Sequence, residues 1–216
     1  MKIKRIAMSL IGVVVTAISV GAFKFAAIGV DPFQSFMTGV DRLIPIEFGT
    51  LYVLVNALLL LFALIFDRRY IGISTFINLF LLGYIVEFTL DALTAAFPAA
   101  SILAKAAAFS LGFISLCFGS SMYMTANMGV STYDAIALIC TYKWKLGKFK
   151  YIRIISDFVC ILTGTAMYLF GGGPVTGVTA FVGIGTVLTA FFMGPLIDWF
   201  NQRICVPLLE KRHSHS

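Results

Sequence analysis

The chain has 216 residues, of which 60% are hydrophobic and 12% are charged, and its formal net charge is +6. A soluble domain of this length cannot bury apolar stretches as long as residues 6–23, 51–66 and 154–170 without leaving large apolar faces in water. The composition therefore excludes a soluble globular protein and indicates an integral membrane protein, in agreement with a mean hydropathy of +0.97.

The first predicted span covers residues 5–27 and is followed directly by a break at Gly29. Its basic start and apolar centre are similar to a secretory signal, but no small-residue cleavage site follows, so we interpret it as a retained span. The break leads into residues 31–44, a segment that is too short to cross a membrane as a helix. Asp31 and Pro32 at its start are typical of a helix N-terminus.

The same arrangement returns further along the chain. Apolar runs of about 20 residues predict five more spans, at residues 48–66, 71–96, 101–126, 150–172 and 178–200. Gly129 interrupts the chain after the fourth span, and Ser131 begins a second short segment, residues 131–144. Two alternatives stay open for both short segments: amphipathic helices that lie in the membrane interface, or half-helices that dip into the membrane.

The distribution of Lys and Arg predicts the orientation, because short cytoplasmic loops are enriched in these residues. Six spans with a cytoplasmic N-terminus leave only Lys24, Arg42 and Lys105 outside. The other basic residues then lie on the cytoplasmic side: Lys2, Lys4, Arg5, Arg68, Arg69, Lys143, Lys145, Lys148, Lys150, Arg153, Arg203, Lys211 and Arg212. A count of eight spans, in which both short helices cross, would move Arg68 and Arg69 outside. We therefore expect six spans and two cytoplasmic termini.

The two halves of the chain are similar to each other. Residues 11–36 match residues 111–136 at an offset of 100, and the segment from Gly72 matches the segment from Gly183 at an offset of 111. Each repeat contains three spans, an odd number, so the second repeat would enter the membrane from the opposite side, as in inverted-repeat transporters. The expected division is a first membrane repeat, a second membrane repeat and a polar cytoplasmic tail, at residues 1–100, 101–205 and 206–216.

Three short motifs carry a family resemblance: "GVDPFQSF" and "GVSTYDAI" after the first helix of each half, and "MGPLIDWF" in the last span. With them the chain resembles the YitT/YczE/YyaS group of small bacterial membrane proteins, from about residue 5 to about residue 200. The resemblance implies an all-helical fold in a bacterial cytoplasmic membrane. It implies no catalytic residues, because members of the group are mostly uncharacterised and transport is suspected.

The sequence predicts no enzyme, no cofactor and no metal site. It contains no phosphate-binding glycine loop, no paired histidine motif and no nucleophile elbow. The four cysteines are scattered without metal-like spacing, and both histidines lie in the polar tail, where we assign them no role. Aromatic and basic residues over 142–151 are typical of an anchor at the inner leaflet, so we expect lipids, and no nucleic acid, as partners.

Polar residues at the breaks and inside the spans form the candidate site. Such breaks place helix N-termini beside a solute in transporters, and acidic residues within a membrane mark pathways or partners. For Asp157, an ion pair with Arg153 that reaches the headgroups is the alternative interpretation. Lys24 is a candidate partner of Glu87. The candidate pathway residues are Asp31, Gln34, Asn56, Glu87, Ser131, Asp134 and Asp157, and the candidate helix breaks are Gly29 and Gly129.

These observations predict a small-solute transporter or channel with a polar site between the repeats. Carboxylates at the breaks and at depth favour a neutral or cationic solute over an anion, with protons as a candidate coupling ion. Two other functions stay open: a non-transporting membrane accessory protein, and the substrate-binding subunit of a vitamin uptake complex. A homodimer also stays open.

Overall fold

A computed structural model describes residues 2–44, 46 and 48–210, and every regular element within these ranges is a helix. The α-helices are α1 (Lys2–Ala26), α2 (Pro32–Leu43), α3 (Phe48–Asp67), α4 (Ile73–Ala96), α5 (Ile102–Ala126), α6 (Thr132–Leu138), α7 (Phe149–Phe170), α8 (Val175–Phe181), α9 (Ile184–Phe200) and α10 (Val206–Glu210). A 3₁₀ turn follows α3, and π turns extend α6 and α9. The predicted tail lies outside the described residues beyond Glu210.

Within the described part of the chain, five helices are long and apolar enough to cross a membrane, namely α1, α3, α4, α5 and α7. The sequence predicts residues 178–200 as one further continuous span, and this prediction is wrong, because Val182 and Gly183 interrupt it between α8 and α9. The interruption is stable because backbone N–H groups at the start of α9 form hydrogen bonds. The Thr186 hydroxyl accepts a hydrogen bond from the Gly183 N–H at 3.3 Å, and the Ile28 carbonyl accepts one from the Gly185 N–H at 3.1 Å.

The first helices of the two halves, α1 and α5, cross each other closely at the centre of the bundle. They run antiparallel, since Gly12 faces Gly119 and Ser19 faces Gly112. A side chain at either Gly12 or Gly119 would collide with the backbone of the opposite helix. Small residues permit this close approach, which is the usual basis of helix association in lipid, where apolar burial alone gives no preference for protein over lipid.

Both predicted breaks are present, and each has a glycine in the left-handed backbone region. Gly29 has φ +124° and Gly129 has φ +102°, values that glycine adopts without a steric penalty. Each break packs against the start of a helix in the other half of the chain: Gly29 lies against Gly183 and Gly129 lies against Gly72. A side chain at either break glycine would also collide with that neighbouring helix start.

Hydrogen bonds repeat this exchange at both breaks. At the first break the Ile28 carbonyl accepts from Gly185, and at the second the Met128 carbonyl accepts from Ser74 at 3.0 Å. The residue after each break glycine donates a hydrogen bond back to the other half. The Val30 N–H donates to the Phe181 carbonyl at 3.4 Å, and the Val130 N–H donates to the Tyr70 carbonyl at 2.9 Å. The two halves are therefore hydrogen-bonded to each other at both breaks through the same pattern of backbone groups.

The two short helices that follow the breaks each lie along a long helix of the other half. Along α7, the backbone of α2 contacts Gly164 through Gly39, and Arg42 lies beside Gly171 just after the end of α7. Along α3, the Thr132 hydroxyl of α6 donates to the Asn56 amide oxygen at 2.6 Å. Each short helix therefore begins beside the middle of a long helix and runs toward its C-terminal end.

Candidate functional site

The starts of the two short helices, α2 and α6, meet inside the bundle. The Asp31 carboxylate caps α2 by accepting the N–H groups of Phe33 at 3.1 Å and of the following residue at 3.2 Å, and the Ser131 hydroxyl caps α6 by accepting the Asp134 N–H at 3.0 Å. The rings of Phe33 and Tyr133 stack with centroids 5.1 Å apart. Helices lying in opposite membrane interfaces would start about 30 Å apart. For a pair of inverted repeats, this contact would favour the half-helix alternative over the interfacial one.

A small cavity of about 70 Å³, the central cavity, lies at this meeting point. Its walls come from both halves of the chain and include residues from the middle of α1, α4, α5 and α9. The lining residues are Thr16, Val20, Asp31, Phe33, Gln34, Tyr52, Asn56, Asn78, Leu82, Leu116, Ser120, Tyr123, Ser131, Tyr133, Asp134, Arg153 and Met193. Five of the seven candidate pathway residues lie in this lining.

A buried arginine lies between two of the predicted acidic residues. Arg153 is 4% exposed, and its Nη1 forms an ion pair with Asp134 Oδ1. Its Nε lies 3.4 Å from Asp157 Oδ1, one helical turn along α7, where the two groups attract as charges without a hydrogen bond. The guanidinium also stacks on the ring of Tyr133, 4.4 Å from its centroid. The sequence places Arg153 at the cytoplasmic headgroups, and the structure corrects this by burying it in the bundle.

The two aspartates beside Arg153 differ in how well they are compensated. Asp134 accepts hydrogen bonds from the hydroxyls of Tyr123 and Ser131 in addition to its ion pair, so both of its oxygens have partners. Asp157 is fully buried, and its Oδ1 accepts from the Tyr133 hydroxyl at 2.6 Å. Its Oδ2 has no hydrogen-bond partner among the described residues. An uncompensated oxygen on a buried carboxylate is unfavourable, so Asp157 is the less well stabilised of the two carboxylates.

Asn56 completes the polar wall on α3. Its amide oxygen accepts from the Thr132 hydroxyl, and its amide nitrogen donates to the Tyr52 carbonyl, four residues earlier, at 2.8 Å. Asn56 therefore makes a hydrogen bond through each end of its amide, as a buried polar side chain requires.

A larger cavity of about 530 Å³, the side vestibule, lies between α3 and α4. Lys24 and Glu87 line it, so the pair expected from the sequence shares one cavity, but Glu87 is exposed and is not part of the lining of the central cavity. Gln34, Tyr52 and Leu82 line both cavities and form the wall between them. Only these three side chains therefore separate the vestibule from the central cavity among the residues that line them.

A third cavity of about 210 Å³, the end pocket, lies near the second break and is lined by Gly129, Val130 and Tyr142 among others. It shares no lining residue with the central cavity. The side vestibule therefore adjoins the central cavity, whereas the end pocket does not. A groove of about 610 Å³ between α5 and α9 is larger than all three, but its lining residues are apolar apart from Ser110 and the indole of Trp199, so it offers no comparable site.

Several site residues are not predicted from the sequence. The i, i+4 spacing of Arg153 and Asp157 in an apolar helix signals their pairing, and only the depth of the pair is misjudged. The match of Phe33 with Tyr133 in the repeat carries a weak signal for the stacked rings. Nothing in the sequence indicates that Tyr123, from the end of α5, donates to Asp134.

Comparisons with known proteins name no activity, and one of the relatives is named as a membrane protein. Residues 3–202 match a family described as "Family of unknown function (DUF6198)". The chain is similar to the "Uncharacterized membrane protein YczE" of Bacillus subtilis (strain 168), with 23% identity over 86% of this chain and 80% of that protein. It is also similar to the "Uncharacterized protein YyaS" of the same strain, with 22% identity over 93% of this chain and 92% of that protein. No solved structure matches the chain.

Proposed function

The chain belongs to the family of unknown function DUF6198, and we propose that this membrane protein is a small-solute transporter or channel whose site is the central cavity. The relatives support the YczE and YyaS part of the resemblance seen in the sequence, and membership of the YitT group stays a prediction. The proposal depends on the site, because the names of the relatives specify no activity.

The observation that carries the proposal is that matched positions of the two halves line the central cavity together. At the offset of 100, Asp31 pairs with Ser131, Phe33 with Tyr133 and Gln34 with Asp134, and all six residues line it. At the offset of 111, Leu82 pairs with Met193. A polar cavity at the junction of two inverted repeats, between the N-termini of broken helices, is the usual position of a solute site in secondary transporters.

We further propose that the halves are inverted three-span repeats with both termini in the cytoplasm of a bacterium. In this arrangement α8 and α9 together form the sixth crossing, and the reciprocal contacts of the two breaks are the contacts that an inverted pair requires. Single cysteines in place of Arg42 and Lys145, tested with a membrane-impermeant thiol reagent, are expected to react from opposite sides of the membrane. Labelling of both from the same side would contradict the inverted arrangement.

The charges of the site favour a cationic or neutral solute. Asp31, Asp134 and Asp157 outnumber the single guanidinium of Arg153, so the described cluster carries more negative than positive charge when its acids are ionised. The central cavity of about 70 Å³ is also far smaller than the ~300–1,000 Å³ typical of pockets for drug-sized ligands. In this conformation the cavity suits an inorganic ion or a very small organic cation, which enters through the side vestibule.

Flux into proteoliposomes tests the proposal. The probes are Na⁺, K⁺, guanidinium and urea, with sulfate as the anion, and vesicles without protein give the background. We expect uptake of at least one cation or of urea above background, and Asp31→Asn is expected to reduce cation uptake at least several-fold. Asp91→Asn is the matched control, since Asp91 is an exposed acid on α4 and does not line the central cavity.

One result would count against transport by this site, and another would count against the predicted charge of the solute. Absence of flux for every probe, together with no thermal stabilisation of the purified protein by any of them, would favour the accessory-protein alternative. Uptake of sulfate in preference to the cations would contradict the charge argument and leave transport itself standing.

A further inference from the structure

Asn56 and Asp157 occupy equivalent positions in the two halves of the chain. Each is the ninth residue of its helix, counted from Phe48 in α3 and from Phe149 in α7. Each accepts a hydrogen bond of 2.6 Å from a hydroxyl of α6, Thr132 in the first case and its neighbour Tyr133 in the second. The neutral residue Asn56 therefore shows how this position is satisfied when it carries no charge.

The hydrogen bonding of the two residues differs at the second end of the side chain. The Asn56 amide nitrogen donates to the carbonyl four residues earlier, that of Tyr52. The corresponding carbonyl for Asp157 is that of Arg153, at the same step along an α-helix. A carboxylate cannot donate there, and Asp157 Oδ2 has no partner among the described residues. A carboxylic acid has nearly the shape of a carboxamide and could donate its O–H where Asn56 donates its N–H.

We propose that Asp157 is a proton-binding site and that its protonated form reproduces the hydrogen bonding of Asn56. The proton binds Oδ2, which converts the carboxylate to a carboxylic acid, while Oδ1 continues to accept the hydrogen bond of Tyr133. Tyr133 lines the central cavity, so its hydroxyl connects the cavity to the buried acid. When it passes its own proton to Oδ1, it takes a replacement from water in the cavity, and rotation of the carboxyl group by half a turn then places the new O–H at the Oδ2 position and leaves an unprotonated oxygen to accept from Tyr133.

The groups around Asp157 explain why the proton is exchangeable and not fixed. On the same helix as Asp157, Arg153 stabilises the carboxylate. The Cys160 thiol, about one turn further along, donates a hydrogen bond to the Tyr133 hydroxyl at 3.6 Å. From α6 and the segment before α2, the carboxylates of Asp134 and Asp31 oppose a further negative charge. The guanidinium is already engaged by Asp134, so it compensates Asp157 only in part.

This site would couple protons to the solute if the proposed transport function holds. With Asp157 deprotonated, Arg153 is shared between two carboxylates, and the surroundings of the central cavity carry one more negative charge. With Asp157 protonated, Arg153 pairs with Asp134 alone. A cation in the central cavity and a proton on Asp157 therefore disfavour each other, which predicts exchange of the two across the membrane.

Infrared difference spectroscopy of the purified protein in lipid tests the proton site without any transport. We expect the carbonyl band of a protonated carboxylic acid to appear as the pH is lowered, to be absent in Asp157→Asn and to remain in Asp31→Asn. Asparagine already occupies the equivalent position, so Asp157→Asn is expected to fold, and its melting temperature checks this. Tyr133→Phe removes the hydroxyl donor and is expected to shift the same band, which provides a second variant. An unchanged band in both variants, or no titrating band in the wild type, would overturn the proposal.

A second measurement separates the proton site from the transport function. Proteoliposomes loaded with a pH-sensitive dye receive external Na⁺, K⁺ or guanidinium, and exchange is expected to make the lumen alkaline with wild-type protein but not with Asp157→Asn. If the infrared band depends on Asp157 while no cation moves protons, the proton site stands and the proposed function fails. Cation-driven proton movement of equal rate in Asp157→Asn would refute the role of Asp157 in coupling.

Discussion

Replacing Arg153 with methionine is expected to lower the free energy of unfolding by about 3–5 kcal/mol. The side chain of Arg153 is 5% exposed, and those of its ion-pair partners Asp134 and Asp157 are 4% and 0% exposed, so removal of the guanidinium leaves two buried carboxylates without a cation. The contact of the guanidinium with the Tyr133 ring is lost as well, a term of up to about 2 kcal/mol at a desolvated site. Hydrogen bonds from Tyr123 and Ser131 to Asp134 keep the loss within this range.

The double variant Arg153→Met with Asp134→Asn distinguishes a charge effect from a packing effect. Because replacement of both members of a buried ion pair by neutral groups is often close to neutral, the second substitution should recover at least about 2 kcal/mol of the loss, although the Asp157 carboxylate still lacks its cation. Arg69→Met is the control for loss of an ion pair whose cation is exposed. The side chain of Arg69 is 77% exposed and that of its partner Asp67 is 7% exposed, so the expected loss is smaller than for Arg153→Met, where both partners are buried.

The measurement is equilibrium unfolding in mixed micelles, followed by helical circular dichroism as the fraction of denaturing detergent rises. An Arg153→Met protein within about 1 kcal/mol of wild type would refute the burial of an essential charge at this position. A double variant no more stable than Arg153→Met would show instead that the arginine contributes through packing.

Three further substitutions test particular contacts of the fold by the same measurement. Gly39→Ala places a methyl group against the backbone of α7 and should destabilise by about 1–3 kcal/mol, whereas Gly83→Ala, which has no neighbour within 4 Å, should not. Gly129→Ala should cost more than Gly172→Ala, because both have positive φ but only Gly129 is crowded by the other half of the chain. Tyr133→Phe removes the only hydroxyl donor to Asp157 among the described residues and should cost about 1–3 kcal/mol.

The breaks and the short helices are predictable from the sequence because their causes are local. A glycine that adopts positive φ, followed within two residues by a side chain that caps a helix, is recognisable without knowledge of the rest of the molecule. Asp31 and Ser131 cap helices that begin at Pro32 and Thr132, as the sequence predicts. The sequence does not predict the interruption at Gly183, because one of the two groups that stabilise it, the Ile28 carbonyl, belongs to a distant segment.

The composition of the site could be predicted in large part, but its assembly could not. In a membrane protein both the lipid-facing and the inward-facing sides of a helix are apolar, so periodicity does not show which side of α7 faces the bundle. Arg153 near the start of α7 therefore looks like a headgroup anchor by sequence. Its burial depends on Asp134, 19 residues away on another helix, and on the stacked Tyr133.

Because the two halves contact each other at both breaks, the first half cannot complete its contacts until the second half has been synthesised. Gly29 closes against Gly183, which follows it by 154 residues, and at about 5–20 residues per second a ribosome needs about 8–30 s to supply that partner. During this interval α2 has neither α7 to lie against nor a partner for Val30, and its acidic cap faces lipid or the insertion machinery. The first half is therefore an incomplete folding unit until most of the second half has emerged.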